Sequence, residues 1–317
     1  MDRAALVTFA RESIAKGSKS FATASLLFAP QTRERAWLLY GWCRACDDIA
    51  DGQALGGALS RVDDPQARLE EIRDKTARAL GGETTGDPAF DGLGVVAAET
   101  GLPHALAGDL IEGFALDAAG WRPQTTDDLM RYCYHVAGSV GCMMAVVMGV
   151  TPDDKAVLDR ACDLGLAFQL ANIARDVAED AEGGRCYIPA DWLAEEGMSA
   201  ETMMLPENRA KLAAIGAGLA ALAGRHEASA RHGTPALPFR SAWAVLAAAG
   251  IYGDIAREVA RRGKTAWDAR VVTSKAAKLG WVARAGVQSL TRRGRWPADE
   301  PRDPALWKRP SGRTTLS

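Results

Sequence analysis

QLANIARDVAED, residues 169–180, is the stretch whose reading decides the fold. Projected on a helix at about 100° per residue, Gln169, Asn172, Asp176 and Asp180 fall within a stripe about 80° wide. Leu164, Leu166, Phe168, Leu170 and Ile173 supply apolar surface around it, as a helix buried on its flanks requires. Upstream, RACDDIAD (44–51) repeats the chemistry. Tyr40, Arg44, Asp47 and Asp51 project within about 60° of one another, and Asp48 lies outside that stripe.

A lone pair of acids four residues apart would read best as a solvated helix face. These two stripes differ from such a face. They hold short carboxylates, an Asn, a Gln and an in-line Arg and Tyr, with no Lys or Glu. Short oxygen ligands suit a fixed coordination shell for hard divalent cations. Two acids per helix are too few to enclose Mg²⁺, which would complete its octahedron with waters and phosphate oxygens. The pattern therefore points to a diphosphate substrate, gripped by Arg44 and Arg175 as forked donors.

The rest of the 317 residues agrees with a helical reading. Helical periodicity runs through 33–51, 102–118, 126–149, 153–181, 209–232 and 242–262, and alternating β-branched runs are nearly absent, so the expectation is an all-α chain. Gly- and Pro-rich stretches at 52–65, 81–94, 120–126, 183–189 and 233–238 punctuate it. Thr126 with Asp127 and Asp128 suits a helix start. The uncharged run 136–152 is too short to span a bilayer and reads as a core helix.

A net charge of −2, a pI near 6.1 and 25% charged residues describe a soluble globular protein with no excess of base for nucleic acid. Six scattered cysteines with no secretory segment before them fit a reducing, cytoplasmic compartment. Cys43 and Cys46 form a lone C-x-x-C inside an apolar helical stretch, which reads as packing rather than zinc or redox chemistry. Residues 291–317 hold seven basic and three acidic residues, several prolines, Trp296 and Trp307, and read as an irregular tail after a 1–290 helical domain. Such basic residues beside tryptophans also suit peripheral contact with a membrane surface.

SKSFATAS (18–25), YGWCRACDDIAD (40–51), YCYHVAGSVG (132–141) and FQLANIARDVAEDAEGGRCYIP (168–189) together resemble the trans-isoprenyl head-to-head synthases of the squalene/phytoene synthase family, and bacterial phytoene synthases within it. The likeness runs from about residue 10 to 290. It implies an isoprenoid-synthase fold, a single helical domain around a central cavity. There two geranylgeranyl diphosphates would be joined into phytoene through prephytoene diphosphate, with release of diphosphate.

Carried over by position, the resemblance makes Asp47, Asp51, Asn172, Asp176 and Asp180 ligands of Mg²⁺ or Mn²⁺. It gives Tyr40, Arg44, Tyr132, Gln169, Arg175 and Tyr252 catalytic roles. Ser18, Lys19, Ser20, Phe21, Arg185, Arg270 and Lys278 would bind substrate, and Val136, Ala137, Gly138 and Gly141 would line the tail channel. GGRCYIP (183–189) would be a flap over the metal site. No NADPH is expected. Two alternatives stay open: a synthase of dehydrosqualene or squalene type using farnesyl diphosphate, and a noncatalytic assembly factor of the same fold, against which the intact acid pairs argue.

Overall fold

The computed structural model describes residues 1–17, 24–51 and 64–310. The helices are α1 (Arg3–Gly17), α2 (Pro30–Asp51), α3 (Pro65–Leu80), α4 (Pro88–Thr100), α5 (His104–Ala118) and α6 (Thr126–Cys133). A π-helical turn, Tyr134–Gly138, leads into α7 (Ser139–Val147), followed by α8 (Lys155–Glu182) and the short α9 (Ala190–Glu195). The chain closes with α10 (Arg209–Arg231), α11 (Phe239–Arg262) and α12 (Lys275–Arg295), and no strand occurs among the described residues.

The second acid stripe sits on α8, and α7, α10 and α11 pack around that helix. The first stripe sits on α2, which packs against α1 and α4, while α3 and α5 bridge this group to α7. One continuous apolar core joins both groups, with Trp42, Phe90, Leu93, Ile111, Leu129 and Met143 fully buried. The Trp42 indole donates to Thr76 Oγ1 at 3.2 Å, tying α2 to α3.

Local chemistry explains most element ends. The Asp154 carboxylate accepts from the Val157 amide at 3.1 Å and starts α8. Thr125, one residue before the expected start, caps α6 through a reciprocal box with Asp128. The glycine-rich stretch 81–94 is only partly a loop. Asp87 caps and Pro88 opens α4, so Gly92 and Gly94 are helical. A Cβ at Gly94 would lie 2.7 Å from the Ala79 carbonyl oxygen, so glycine there serves close approach of α3 and α4.

The expected helix over 126–149 is interrupted by the π turn. The Tyr134 hydroxyl donates to Asp109 at 2.5 Å, and His135 Nδ1 bonds the Asp109 carbonyl oxygen at 2.8 Å. Both anchors bind the turn to α5, and His135 thereby has a structural role.

The expected boundary at 290/291 falls inside α12. Residues 296–310 are irregular, yet they are seated on the body: Arg302 reaches Asp163 on α8, and the Trp307 indole donates to Asp127 on α6 at 2.8 Å. These contacts hold the irregular segment against α6 and α8.

Candidate active site

The two stripes meet at one cavity of about 810 Å³, at the large end of small-molecule sites. From α2 it is lined by Tyr40, Arg44 and Asp47, and from α8 by Gln169, Asn172, Asp176 and Asp180. Asp51 closes α2, and its side chain lies outside the described residues, as do Ser18, Lys19, Ser20 and Phe21. Asp48 turns away from the cavity and accepts Arg44 Nε at 3.0 Å. Much of the remaining lining is apolar, with Leu69, Leu110, Phe114, Val136, Val140 and Met144.

Charge is concentrated at the polar end. Arg44 pairs with Asp47 at 2.8 Å, and Arg175 forks onto Asp176 at 2.7 and 2.5 Å. Arg270 also reaches Asp176, at 3.0 Å. Its placement is traceable to Trp267, whose indole donates to the Ala174 carbonyl on α8 at 2.9 Å and pins the segment after α11. Burial and then the Asp176 charge push the Asp180 carboxyl up to about 7, with Arg185 opposing them.

Residues 183–189, which the resemblance makes a flap, follow directly from α8. Gly184 adopts φ +72°, which the chain needs to fold back, and the Arg185 amide donates to the Asp180 carbonyl at 2.8 Å. Arg185 and Tyr187 both line the cavity.

Several expected site residues lie elsewhere. Gly138 and Gly141 do not line the cavity: a Cβ at Gly138 would meet Cys162 Sγ at 3.0 Å, and one at Gly141 would overlap the Ala161 carbonyl oxygen. The Ala137 carbonyl lies against Gly165 in the same way, so these three residues let α8 approach, and only Val136 of the quartet faces the channel. Tyr252 stacks on Phe168 at 4.1 Å and lines a separate small hollow between α8, α10 and α11. Lys278 sits half-buried on α12 and is not among the residues lining the central cavity.

The sequence reading missed Asp117 and Tyr187. Asp117, in the last turn of α5, accepts the Tyr132 hydroxyl at 3.0 Å and the Tyr187 hydroxyl at 3.0 Å, and all three line the cavity. The available signal was weak: one acid in FALDAAGW, with no second acid at helical spacing. Cys43 lines the cavity too, but burial pushes its thiol up to about 12 and raises that of Cys46 well above its ordinary value, so neither is a ready nucleophile. All six cysteines are free.

Among the described residues no three His, Cys, Asp or Glu side chains converge tightly enough to hold a metal by themselves. The donors are hard oxygens split between two walls, which fits cations that take the rest of their shell from water and phosphate.

The family model described as squalene/phytoene synthase matches residues 14–277. The chain belongs to this family. It is 46% identical over 312 residues to a 15-cis-phytoene synthase of Pantoea ananas, covering 98% of this chain and 100% of that one. A 15-cis-phytoene synthase from a Paracoccus strain is 46% identical over 96% of this chain and 98% of its own. Among solved structures, a dehydrosqualene synthase superposes with a TM-score of 0.81 at 26% identity, over 91% of this chain and 98% of that one. A squalene synthase of Alicyclobacillus acidocaldarius, 23% identical with a TM-score of 0.74 over 82% and 95%, shares the fold.

Proposed function

We infer that this chain is a phytoene synthase, joining two geranylgeranyl diphosphates head to head and releasing diphosphate. The observation that carries this reading is that both acid stripes line one cavity together with a set of apolar side chains. Full-length likeness to enzymes named 15-cis-phytoene synthase supports the C20 substrate over the C15 one.

Asp47, Asn172, Asp176 and Asp180, with Asp51 by position, would hold Mg²⁺ or Mn²⁺. When bound, such cations neutralise the leaving diphosphate as Lewis acids. Arg44, Arg175, Arg185 and Arg270 surround the same end and would bind phosphate oxygens by charge-assisted hydrogen bonds. Leu69, Leu110, Phe114 and Val140 offer the carbocation no nucleophile and would help to exclude water from it. Gln169 and Tyr40 border the junction and would orient the reacting ends. No step calls for NADPH in this scheme.

Product analysis tests the reading. Purified protein with Mg²⁺ and geranylgeranyl diphosphate is expected to give a C40 hydrocarbon without reductant. A C30 product from farnesyl diphosphate alone would move the assignment to the dehydrosqualene type, and absence of turnover with either substrate would favour the noncatalytic reading.

Peripheral contact with a membrane belongs to the same proposal, and α12 is the surface that supports it. Leu279, Val287 and Leu290 project from it at 71, 65 and 73% exposure, on one helical face. The helix carries six basic residues and no acidic one, a composition suited to anionic lipid and unfavourable for pairing with a second copy of itself. Among the described residues no helix is long and apolar enough to cross a membrane. Sedimentation with vesicles containing anionic lipid is expected to capture the protein in low salt. Val287→Asp with Leu290→Asp should reduce capture about tenfold or more, given the lost burial of two apolar side chains. Equal capture of wild type and variant would remove α12 from this role.

A further inference from the structure

The irregular segment 296–310 crosses three helices and ends against the π turn. Near its start His232, just after α10, donates from Nδ1 to the Pro297 carbonyl at 3.0 Å, and Arg160 on α8 donates to the Glu300 carbonyl at 2.5 Å. Arg302 then forks onto the fully buried Asp163, and Arg309 pairs with Asp159 at 2.5 Å. Both acids lie in the N-terminal half of α8. Between these two arginines sits Trp307, whose carbonyl accepts from Arg302 at 2.6 Å and whose indole donates to Asp127 on α6 at 2.8 Å. Its ring lies against the ring of Tyr134 at 5.8 Å, tilted by 41°.

Tyr134 opens the π turn, and Val136, two residues on, is the one residue of that turn that lines the cavity. The turn is wedged between two helices. A Cβ at Gly113 of α5 would lie 2.7 Å from Val136 Cγ1, and one at Gly165 of α8 would lie 2.2 Å from the Ala137 carbonyl oxygen. Packed so closely on both sides, the turn has no slack towards α5 or α8. The side left to it is the one where Tyr134, bonded to Asp109 through its hydroxyl, meets Trp307.

We propose that Trp307 is a positioning residue for the prenyl tail: seated by Arg302 and Arg309, it closes the outer side of the π turn and so fixes Val136 in the channel wall. This rests on the head-to-head synthase reading above, in which the apolar lining of the cavity takes the tails. Trp307 itself does not line the cavity. Its loss lets the turn relax outward, which removes tail contact at Val136 and leaves the phosphate-facing groups of α2 and of the C-terminal half of α8 in place.

Steady-state kinetics of full-length Trp307→Ala with geranylgeranyl diphosphate test this, once circular dichroism and a thermal melt establish that the variant is folded. KM is expected to rise about fourfold, the worth of one methylene contact, with kcat within about twofold of wild type. Inorganic pyrophosphate with Mg²⁺ engages only the polar end, so its inhibition constant is expected to stay within about twofold of wild type. Trp307→Phe keeps a ring over Tyr134 and drops the indole donor, and it should recover most of the wild-type KM. In a double-mutant cycle, Val136→Ala raises KM by itself, and adding Trp307→Ala should raise it little further, because both changes act on one contact.

Unchanged KM in a folded Trp307→Ala protein would overturn the proposal and leave the segment a stability element alone. Equal rises in KM and in the pyrophosphate inhibition constant would overturn it as well, since the whole site would then have loosened. Additive effects of the two substitutions would do the same. Trp307→Leu, milder on the packing, carries the same comparison should the alanine variant fail to fold. Failure of the synthase reading is separately visible, because wild type itself would then yield no hydrocarbon. A wild type making a C30 product is compared in the same way with farnesyl diphosphate.

Discussion

Asp176→Asn and, separately, Asp47→Asn each lower turnover by about 10³-fold or more while the helical fold survives, the size expected when a group that stabilises transition-state charge is removed. Asp176 stands where three cationic or cation-seeking influences meet: it pairs with Arg175 and Arg270, and its charge contributes to pushing Asp180 up to about 7. Asparagine keeps the shape and removes the charge. The leaving diphosphate then loses part of the positive charge that this carboxylate would hold in place. Asp47 is its counterpart on α2, paired with Arg44 at 2.8 Å.

The fold should tolerate both changes. The Asp47 side chain is 41% exposed, and ion pairs with so exposed a partner contribute about 1 kcal/mol or less. Asp176 is less exposed, but its amide replacement still accepts hydrogen bonds from Arg175. Far-UV circular dichroism and a thermal melt check the fold, and hydrocarbon yield from geranylgeranyl diphosphate checks the chemistry. Near-normal product from either variant would remove that residue from the diphosphate site.

Helical periodicity located these residues because the side-chain direction of an α-helix is fixed by its backbone. Seven of the eight residues in the two stripes line one cavity, and the eighth, Asp51, has a side chain outside the described residues. Periodicity also found α5, α8, α10 and α11 to within a few residues. It failed where glycine has two meanings. Gly92 and Gly94 looked like loop punctuation, whereas they permit α4 to touch α2 and α3. Gly138 and Gly141 looked like a smooth channel wall, whereas they permit α7 and the π turn to touch α8. In a single sequence, a glycine chosen for backbone freedom and one chosen for close approach are identical.

Asp117 was illegible for another reason. Its partners Tyr132 and Tyr187 lie 15 and 70 residues away, so only the packing of α5, α6 and the segment after α8 assembles the group. Arg270 illustrates the intermediate case. Family resemblance named it, but the reason it reaches Asp176 is the Trp267 indole bonded to α8.

The C-terminal segment carries the second large effect, on stability. Arg302→Ala is expected to destabilise the fold by about 3–5 kcal/mol, the cost of stripping one partner from a buried ion pair. Asp163 is 0% exposed, and Arg302 binds both its oxygens, Nη2 to Oδ1 at 2.7 Å and Nε to Oδ2 at 2.9 Å. His226 and Ser229 complete the shell at 2.8 and 2.5 Å. Burial alone would raise the Asp163 carboxyl, and the hydrogen bonds from Arg302, His226 and Ser229 outweigh it and hold it below the ordinary range.

The sign of the pH dependence follows. A carboxyl held low contributes stability that is present above its unfolded value, about 3.9, and lost as pH falls through the lower folded value. Without Arg302 the same buried carboxyl is no longer held low. The variant's deficit is therefore expected to be largest near pH 7 and to shrink as pH falls towards the range where Asp163 protonates and needs no cation. Urea unfolding at pH 7 and pH 5 measures both quantities. Asp163 and Asp176 lie in opposite halves of α8, so molecules that remain folded should turn over substrate at close to the wild-type rate. A deficit below about 1 kcal/mol at pH 7, or one that grows on acidification, would show that residues 296–310 rest on the body without completing it.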